Sequence, residues 1–311
     1  MLPVLAIVGP TAVGKSQVAL ALAERIGGEI ISADSRQVYR GMDIGTAKPT
    51  SEERARVRHH LIDVVDPDRE FAVTHYRSLA LSAIEDVLSS AKVPILVGGT
   101  GLYIRAITGG LSTPVVPPDS GFRQAMEARS IENGPLALHA ELATVDPIAA
   151  QRIHPQNVRR VIRALEVWHS TGQPITKLQR LEPPAFRVHK IGLTCAREAL
   201  YDAIDRRVEQ MMRAGLVDEV RCLVAKGYGW ELPAMSGLGY RQIGQFLRGE
   251  IELEAAVQRI KYSTHRFARQ QYTWFRLDAP DIRWFSVTEQ QPSEVVDACV
   301  QEFLQPASVD F

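Results

Sequence analysis

Short apolar runs alternate with amphipathic stretches through the first third of the chain. Leu2 to Val8 is continuously apolar, the pattern of a strand buried on both faces, and Val18, Leu22 and Ile26 then recur at helical spacing. Glu29 to Ala33 is a second β-rich run, ending at Asp34, and His59 to Pro67 reads as a strand with a turn after it. The adjacent histidines His59 and His60 point to opposite sides of a strand, which favours packing or hydrogen bonding over a shared metal site. Between Thr74 and Lys92, Tyr76, Ala80, Ile84 and Leu88 fall at four-residue steps, predicting a crossover helix that returns the chain for a parallel strand at Pro94 to Val97. Gly98 to Tyr103 turns into a further helix. Strands alternating with helices predict an α/β fold, a P-loop NTPase-like parallel sheet flanked by helices.

Three prolines between Ser112 and Pro118 interrupt this rhythm, and helical patterns follow until Val188 to Leu193 resumes strand character. Residues 116–186 are therefore expected to form a helical insertion in a core made of 1–115 and 187–311. Amphipathic helices are predicted at Arg197 to Met212 and Leu216 to Lys226, and the C-terminal region is helical apart from a small terminal strand. The chain ends raggedly.

Composition narrows the function. Hydrophobic residues make up 45% of the 311, enough for a proper core, and 36 basic residues balance 36 acidic ones. No global positive field draws the chain to nucleic acid or membrane, so any such binding comes from local patches. Cys195, Cys222 and Cys299 are widely separated and lack metal-site spacing, which predicts a reduced, cytoplasmic protein without structural zinc or disulfides. The first apolar run has no basic leader and is read as a core strand, not a signal peptide, and no apolar stretch is long enough to span a bilayer.

The chemistry starts at Gly9, Pro10, Thr11, Ala12, Val13, Gly14, Lys15 and Ser16, set between a strand and a helix. That is the phosphate-binding P-loop, in which backbone N–H groups and a helix N-terminus surround an anion while the lysine and hydroxyl meet its charge and metal. Most such loops bind ATP or GTP, but nothing in the loop reads the group beyond the phosphates. Asp34, at the carboxyl end of the second strand, has three available jobs: metal ligand, general base or cap for the next turn. Thr100 lies on the same ligand edge of the sheet, where its hydroxyl can reach the phosphate pocket or its turn can serve packing alone. Glycines replace the acid that usually ends a Walker-B strand, which lowers the case for ATP hydrolysis.

Two basic surfaces stand out. Gln156, Arg159, Arg160 and Arg163 share a helical face opposite Val158, Ile162 and Leu165, either simply solvated or placed against a phosphate backbone. From Arg259 to Arg276 there is no acid, and Arg259, Arg266, Arg269 and Arg276 interleave with Tyr262, Phe267, Tyr272, Trp274 and Phe275. Those aromatics fit core or base stacking, while the unbroken charge suggests an anionic partner.

The blocks GPTAVGKS, DSRQVY, GMDIGTAKP, HHLIDVVDP, LVGGTGLY, RALEVWHSTG and RFARQQYTWFR occur in one order over most of the chain. Together they closely resemble the tRNA dimethylallyltransferases, the bacterial tRNA isopentenyl transferase family. The resemblance implies transfer of a dimethylallyl group from dimethylallyl diphosphate to the exocyclic N6 amine of the adenosine 3′ of the tRNA anticodon, with that base flipped from the anticodon loop. It implies that the P-loop holds diphosphate, that Asp34 is the general base, and that Thr11, Lys15, Ser16 with Mg²⁺, Thr100 and Arg207 gather around the diphosphate. Asp34, Ser35, Arg36, Gln37, Thr100, Arg123, Arg159, Arg160 and Arg163 match positions that meet the tRNA. A monomer is expected. Two positions depart from the pattern, since His265 and Gln270 stand where the family usually has arginine. The competing readings are an ATP-dependent small-molecule kinase, motivated by the loop and Asp34, and an RNA-binding module with a vestigial phosphate site.

Overall fold

In the computed structural model, which describes residues 3–304 apart from 289 and 291, the apolar runs become the centre of a parallel sheet. Its strands are β1 (Val4–Val8), β2 (Gly28–Ser32), β3 (His59–His60), β4 (Val93–Val97), β7 (Val188–Thr194) and β8 (Ile282–Ser286), while β5 (Leu111–Ser112) and β6 (Arg180–Leu181) form a separate antiparallel pair. The six strands run in the order β3-β2-β4-β1-β7-β8. Leu2 and the C-terminal end, expected to be ragged, lie outside the described residues.

The helices in chain order are α1 (Lys15–Ile26), α2 (Ser51–Arg56), α3 (Val73–Ser89), α4 (Gly101–Thr108), α5 (Ser120–Asn133), α6 (Pro135–Val145) and α7 (Pro147–Arg152). They continue with α8 (Val158–Thr171), α9 (Ile175–Leu178), α10 (Arg197–Arg213), α11 (Leu216–Ala225), α12 (Tyr240–Leu247), α13 (Leu253–Trp274) and α14 (Pro292–Leu304). Alternation along β1 divides the core. Leu5 and Ile7 join Ile30, Ile95 and Ile191 under α1 and α10, whereas Val4, Ala6 and Val8 join Ile31 and Leu96 under α3 and α4. Burial on both faces explains why β1 reads as an unbroken apolar run. Among the described residues no helix is long and apolar enough to cross a membrane.

The chain divides into two compact units, one of Gly109–Pro183 and one of the residues on either side. The smaller unit has its own core of Leu138, Leu142, Val161, Ile162 and Leu165. Two of its helix starts, those of α5 and α7, are capped by carboxylates: Asp119 accepts from Phe122 N at 2.9 Å, and Asp146 from Ala149 N at 2.9 Å.

Two local readings differ from expectation. The third strand is only two residues long, because Leu61 and Asp63 adopt positive φ (62° and 58°) and bend the chain away. That bend is held by the Asp63 carboxylate, which pairs with Lys48 and with Arg54 at 2.9 Å. Gln156 is not on the helical face expected for it, since α8 starts only after Asn157. His59 and His60 do part company as expected: His60 pairs with Glu29 at 2.6 Å, while His59 bonds the Val57 carbonyl oxygen at 2.8 Å.

Inside the smaller unit Glu166 is fully buried and accepts from Arg123 Nε (2.8 Å), Arg163 Nη1 (2.5 Å) and Asp119 N (2.8 Å). Burial pushes the carboxyl up, but the hydrogen bonds from Arg123, Arg163 and the Asp119 amide outweigh it and hold it below the usual glutamate value. A carboxylate depressed in the folded state stabilises above its unfolded pKa and ceases to do so as pH falls through the folded one. The unit is therefore expected to loosen below pH ~4. Glu166→Gln should cost about 2–4 kcal/mol near neutral pH, less than a fully buried pair because both arginines are a third exposed. Hydrogen exchange of the α8 amides reads this out, and unchanged protection would contradict it.

Candidate active site

Adjacent parallel strands put β2, β4 and β1 side by side, so the loops leaving their carboxyl ends meet in one cleft of about 350 Å³. The loop after β1 supplies Thr11, Lys15 and Ser16, the loop after β2 supplies Asp34 to Gln37, and the turn after β4 supplies Gly98 to Thr100. Helix α10 adds Ile204, Arg207, Val208 and Met211 to the wall, and α13 adds Thr264, Phe267 and Gln271. Ala19, Ile30, Val97, Ile204, Val208 and Ile260 give the cleft an apolar side, all of them buried.

Gly14, at φ 96°, turns the phosphate loop into α1 in a conformation that side-chain-bearing residues rarely adopt, and α1 then starts with Lys15 and Ser16. Its first-turn N–H groups open on the cleft, a ready anion site. Lys15 Nζ folds back to donate to Gly9 O at 3.0 Å and Pro10 O at 2.6 Å. Burial, then the Arg207 guanidinium, push Lys15 down to about 7, against the pull of Asp34. Arg207 is likewise lowered by burial, with Asp34 opposing. Both keep an edge on the cleft, yet protein on their other sides strips away water. Among the described residues neither has a carboxylate within ion-pair distance. Two desolvated cations facing one cleft without a counter-ion mark a place for a ligand with multiple negative charges.

Asp34 stands across that space. Its Oδ1 accepts from Arg36 N at 2.8 Å, so it caps the following turn as well as facing the cleft. Thr100 Oγ1 accepts from Ser35 N at 3.0 Å and has only a 3.4 Å contact to Ser35 Oγ for its own proton, leaving that proton available to an incoming oxygen. Asp34 and Thr100 are thus brought together by one backbone amide.

Other predicted residues have internal commitments. Arg36 donates to Pro233 O at 2.7 Å and Ala234 O at 3.3 Å, anchoring the loop before α12. Gln37 uses its amide on Thr46 O and Ala47 O and accepts from Ser32 Oγ, so its side chain braces the 41–49 loop. That loop is ordered, as Glu219 accepts from the amides of Asp43, Ile44 and Gly45 and from Tyr240 Oη. In the smaller unit Arg159 and Arg160 are exposed, whereas Arg123 and Arg163 hold Glu166 and offer only part of their surface. Cleft residues not anticipated from sequence are His59, Gln271 and the apolar wall of α10. Gln271 carried a readable signal, since it shares the buried face of α13 with Ala256, Ile260 and Ala268. His265 pairs with Asp205 at 2.8 Å and stacks on Tyr201 at 4.1 Å.

A model of the IPP transferase family matches residues 37–278. A tRNA dimethylallyltransferase of Roseiflexus castenholzii is 55% identical over 291 residues, covering 91% of this chain and 95% of the relative. One from Dehalococcoides mccartyi is 46% identical, covering 97% and 93%. Among solved structures, the full-length tRNA isopentenylpyrophosphate transferase of Bacillus halodurans superposes with TM-score 0.71 at 40% identity, covering 97% of both chains. A eukaryotic dimethylallyltransferase acting on tRNA gives TM-score 0.79 at 26% identity, covering 96% of this chain and 78% of the other.

If the two cations hold an anion, Arg207→Ala should weaken inorganic diphosphate binding by about ten- to a hundredfold, the worth of a charge-assisted hydrogen bond. Calorimetric titration measures it, and wild-type affinity would remove Arg207 from the anion site.

Proposed function

This chain belongs to the IPP transferase family, and we propose that it takes a dimethylallyl group from dimethylallyl diphosphate and places it on N6 of the adenosine 3′ of a tRNA anticodon. As an enzyme it prenylates tRNA; the kinase alternative is not favoured, and the β4 turn carries Gly98 and Gly99 where a Walker-B acid would stand. The observation that carries the reading is the pair of desolvated cations, Lys15 and Arg207, facing Asp34 across a cleft with an apolar side.

The chemistry follows from that division. The bond between the allylic carbon and the diphosphate oxygen breaks, and the electron pair leaves with diphosphate. Lys15, Arg207 and the amides at the start of α1 stabilise the departing oxyanions, and Thr100 can donate its hydroxyl proton to one of them. The adenine amine attacks the allylic carbon as the N–C bond forms, and its proton passes to the Asp34 carboxylate. An aromatic amine is a poor nucleophile, so orientation in line with the breaking bond matters as much as the base. The apolar side wall suits a five-carbon prenyl tail and excludes water that would hydrolyse an allylic cation. The target base must leave the anticodon-loop stack to reach Asp34.

Ser16 suits magnesium. Its exposed hydroxyl sits beside Lys15 at the start of α1, a donor set matching an ion that binds one protein oxygen together with substrate phosphates. Bound there, Mg²⁺ supplies neutralisation of the leaving group's charge. Of the residues expected to meet tRNA, Arg159 and Arg160 are exposed cations available to its backbone, with Arg123, Arg163, Ser35 and Arg36 contributing the surface left after their internal bonds. Every group named lies on one chain, so a monomer suffices.

Asp34→Asn keeps the cap to Arg36 N and removes the base. Turnover of labelled dimethylallyl diphosphate into tRNA should fall by about a hundred- to ten-thousandfold, with both KM values little changed. Wild-type turnover would exclude Asp34 as the base.

A further inference from the structure

Gln271 is a buried amide, 3% exposed, on the buried face of α13 with Ala256, Ile260 and Ala268, three residues before the helix ends at Trp274. Its Oε1 accepts from Thr11 N at 2.7 Å and its Nε2 donates to Gly99 O at 2.9 Å. Thr11 belongs to the phosphate loop after β1, and Gly99 to the turn after β4. One side chain therefore spans the two loops that carry opposite ends of the transfer. The first loop leads into α1, whose Lys15 and Ser16 would hold the leaving group. Thr100, next to Gly99 on the second, is bonded to Ser35 N beside Asp34.

A buried amide is costly unless its polar atoms are paired, and here both ends are. The bridge has a fixed length because Gly99 admits it. A Cβ at position 99 would lie 2.1 Å from Gln271 Nε2, with the next neighbours at 3.3 Å (Gln271 Cδ) and 3.7 Å (Gly9 O). Gly99 is not among the residues with positive φ, so the glutamine side chain, rather than the backbone, demands glycine there. One turn along α13 the same fit recurs, since a Cβ on Gly101 would lie 2.2 Å from Trp274 Cγ. Helix α13 is thus seated against the β4 turn at Gly99 and against the start of α4 at Gly101.

We propose that Gln271 is a positioning residue for prenyl transfer: it sets the separation between the diphosphate-holding loop and the turn that places Thr100 beside Asp34, and through it the in-line distance between allylic carbon and adenine amine. This rests on the transferase reading above. Misplacing reacting groups by about 1 Å costs on the order of a hundredfold in rate. When the bridge is cut the diphosphate keeps Lys15, Arg207 and the amides at the start of α1 and loses at most the Thr100 hydroxyl, so its binding largely survives.

The test is a cycle on the full chain, with kcat and both KM values measured for Gln271→Ala, Gly99→Ala and the double variant. Gln271→Ala is expected to lower kcat about a hundredfold with both KM values within about threefold. Gly99→Ala, by driving the amide off the Gly99 carbonyl, should lower it comparably. The double variant should be no slower than Gln271→Ala, because the new methyl occupies space the amide vacated, and residues in one network couple in this way. Gln271→Met keeps the side-chain size, loses both hydrogen bonds, and should lower kcat comparably even if the alanine variants fold poorly. Wild-type kcat in Gln271→Met or Gln271→Ala, losses that multiply in the double variant, or a raised KM at unchanged kcat would each overturn the proposal. A folded wild-type chain that transfers no prenyl group overturns the transferase reading itself, whereas an active wild type with multiplying losses overturns the bridge alone.

Discussion

Two basic side chains, Lys15 and Arg207, that line one cleft with no carboxylate among the described residues in ion-pair reach are the constraint from which the site follows. Burial disfavours the charged form of both, and Arg207 disfavours it further on Lys15, so the chain keeps them there by enclosing them in structure that is stable for other reasons. The sheet provides that enclosure: β1 is buried on both faces and fixes the phosphate loop, while α10 packs through Leu200, Ile204 and Val208 and carries Arg207 on the remaining face. The electrostatic cost is set against the charge of a ligand, and a polyanionic leaving group is what such a cleft stabilises most.

Around that anion hole the loops are braced rather than free. Gln37 ties the Asp34 loop to residues Thr46 and Ala47, Glu219 gathers three successive amides of the 41–49 loop, and Arg36 anchors the segment before α12. Catalysis by orientation needs such rigidity, because an amine of low nucleophilicity reacts only when held in line.

Sequence alone revealed what depends on local pattern. Unbroken apolar runs, glycine positions and helical spacing are consequences of neighbours in the chain, so β1, the glycine loop after it, α3 and the helices between Ser120 and Leu178 were legible, as was Asp34 at a strand end. What escaped depends on partners far along the chain. Arg163 reads as part of a solvent-facing basic stripe, yet much of it serves a fully buried Glu166 and the Val116 carbonyl. Gln37 sits in a block that implies RNA contact, yet its amide is spent inside the protein. Gln271 lies 260 positions from Thr11, beyond any periodicity argument, although a glutamine on the apolar face of α13 hinted at a buried partner. The third strand ended early because Leu61 and Asp63 take left-handed conformations secured by Lys48 and Arg54, which apolar patterning does not record.

The central claim is that the cleft pairs a diphosphate leaving group with an adenine amine on tRNA. Mass analysis of the nucleosides of tRNA incubated with the purified chain, Mg²⁺ and both ATP and dimethylallyl diphosphate tests it most directly. The account predicts one adenosine, 3′ of the anticodon, heavier by a C₅H₈ unit, with ATP left intact. Unmodified adenosine from a folded chain, or phosphoryl transfer from ATP instead, would contradict it.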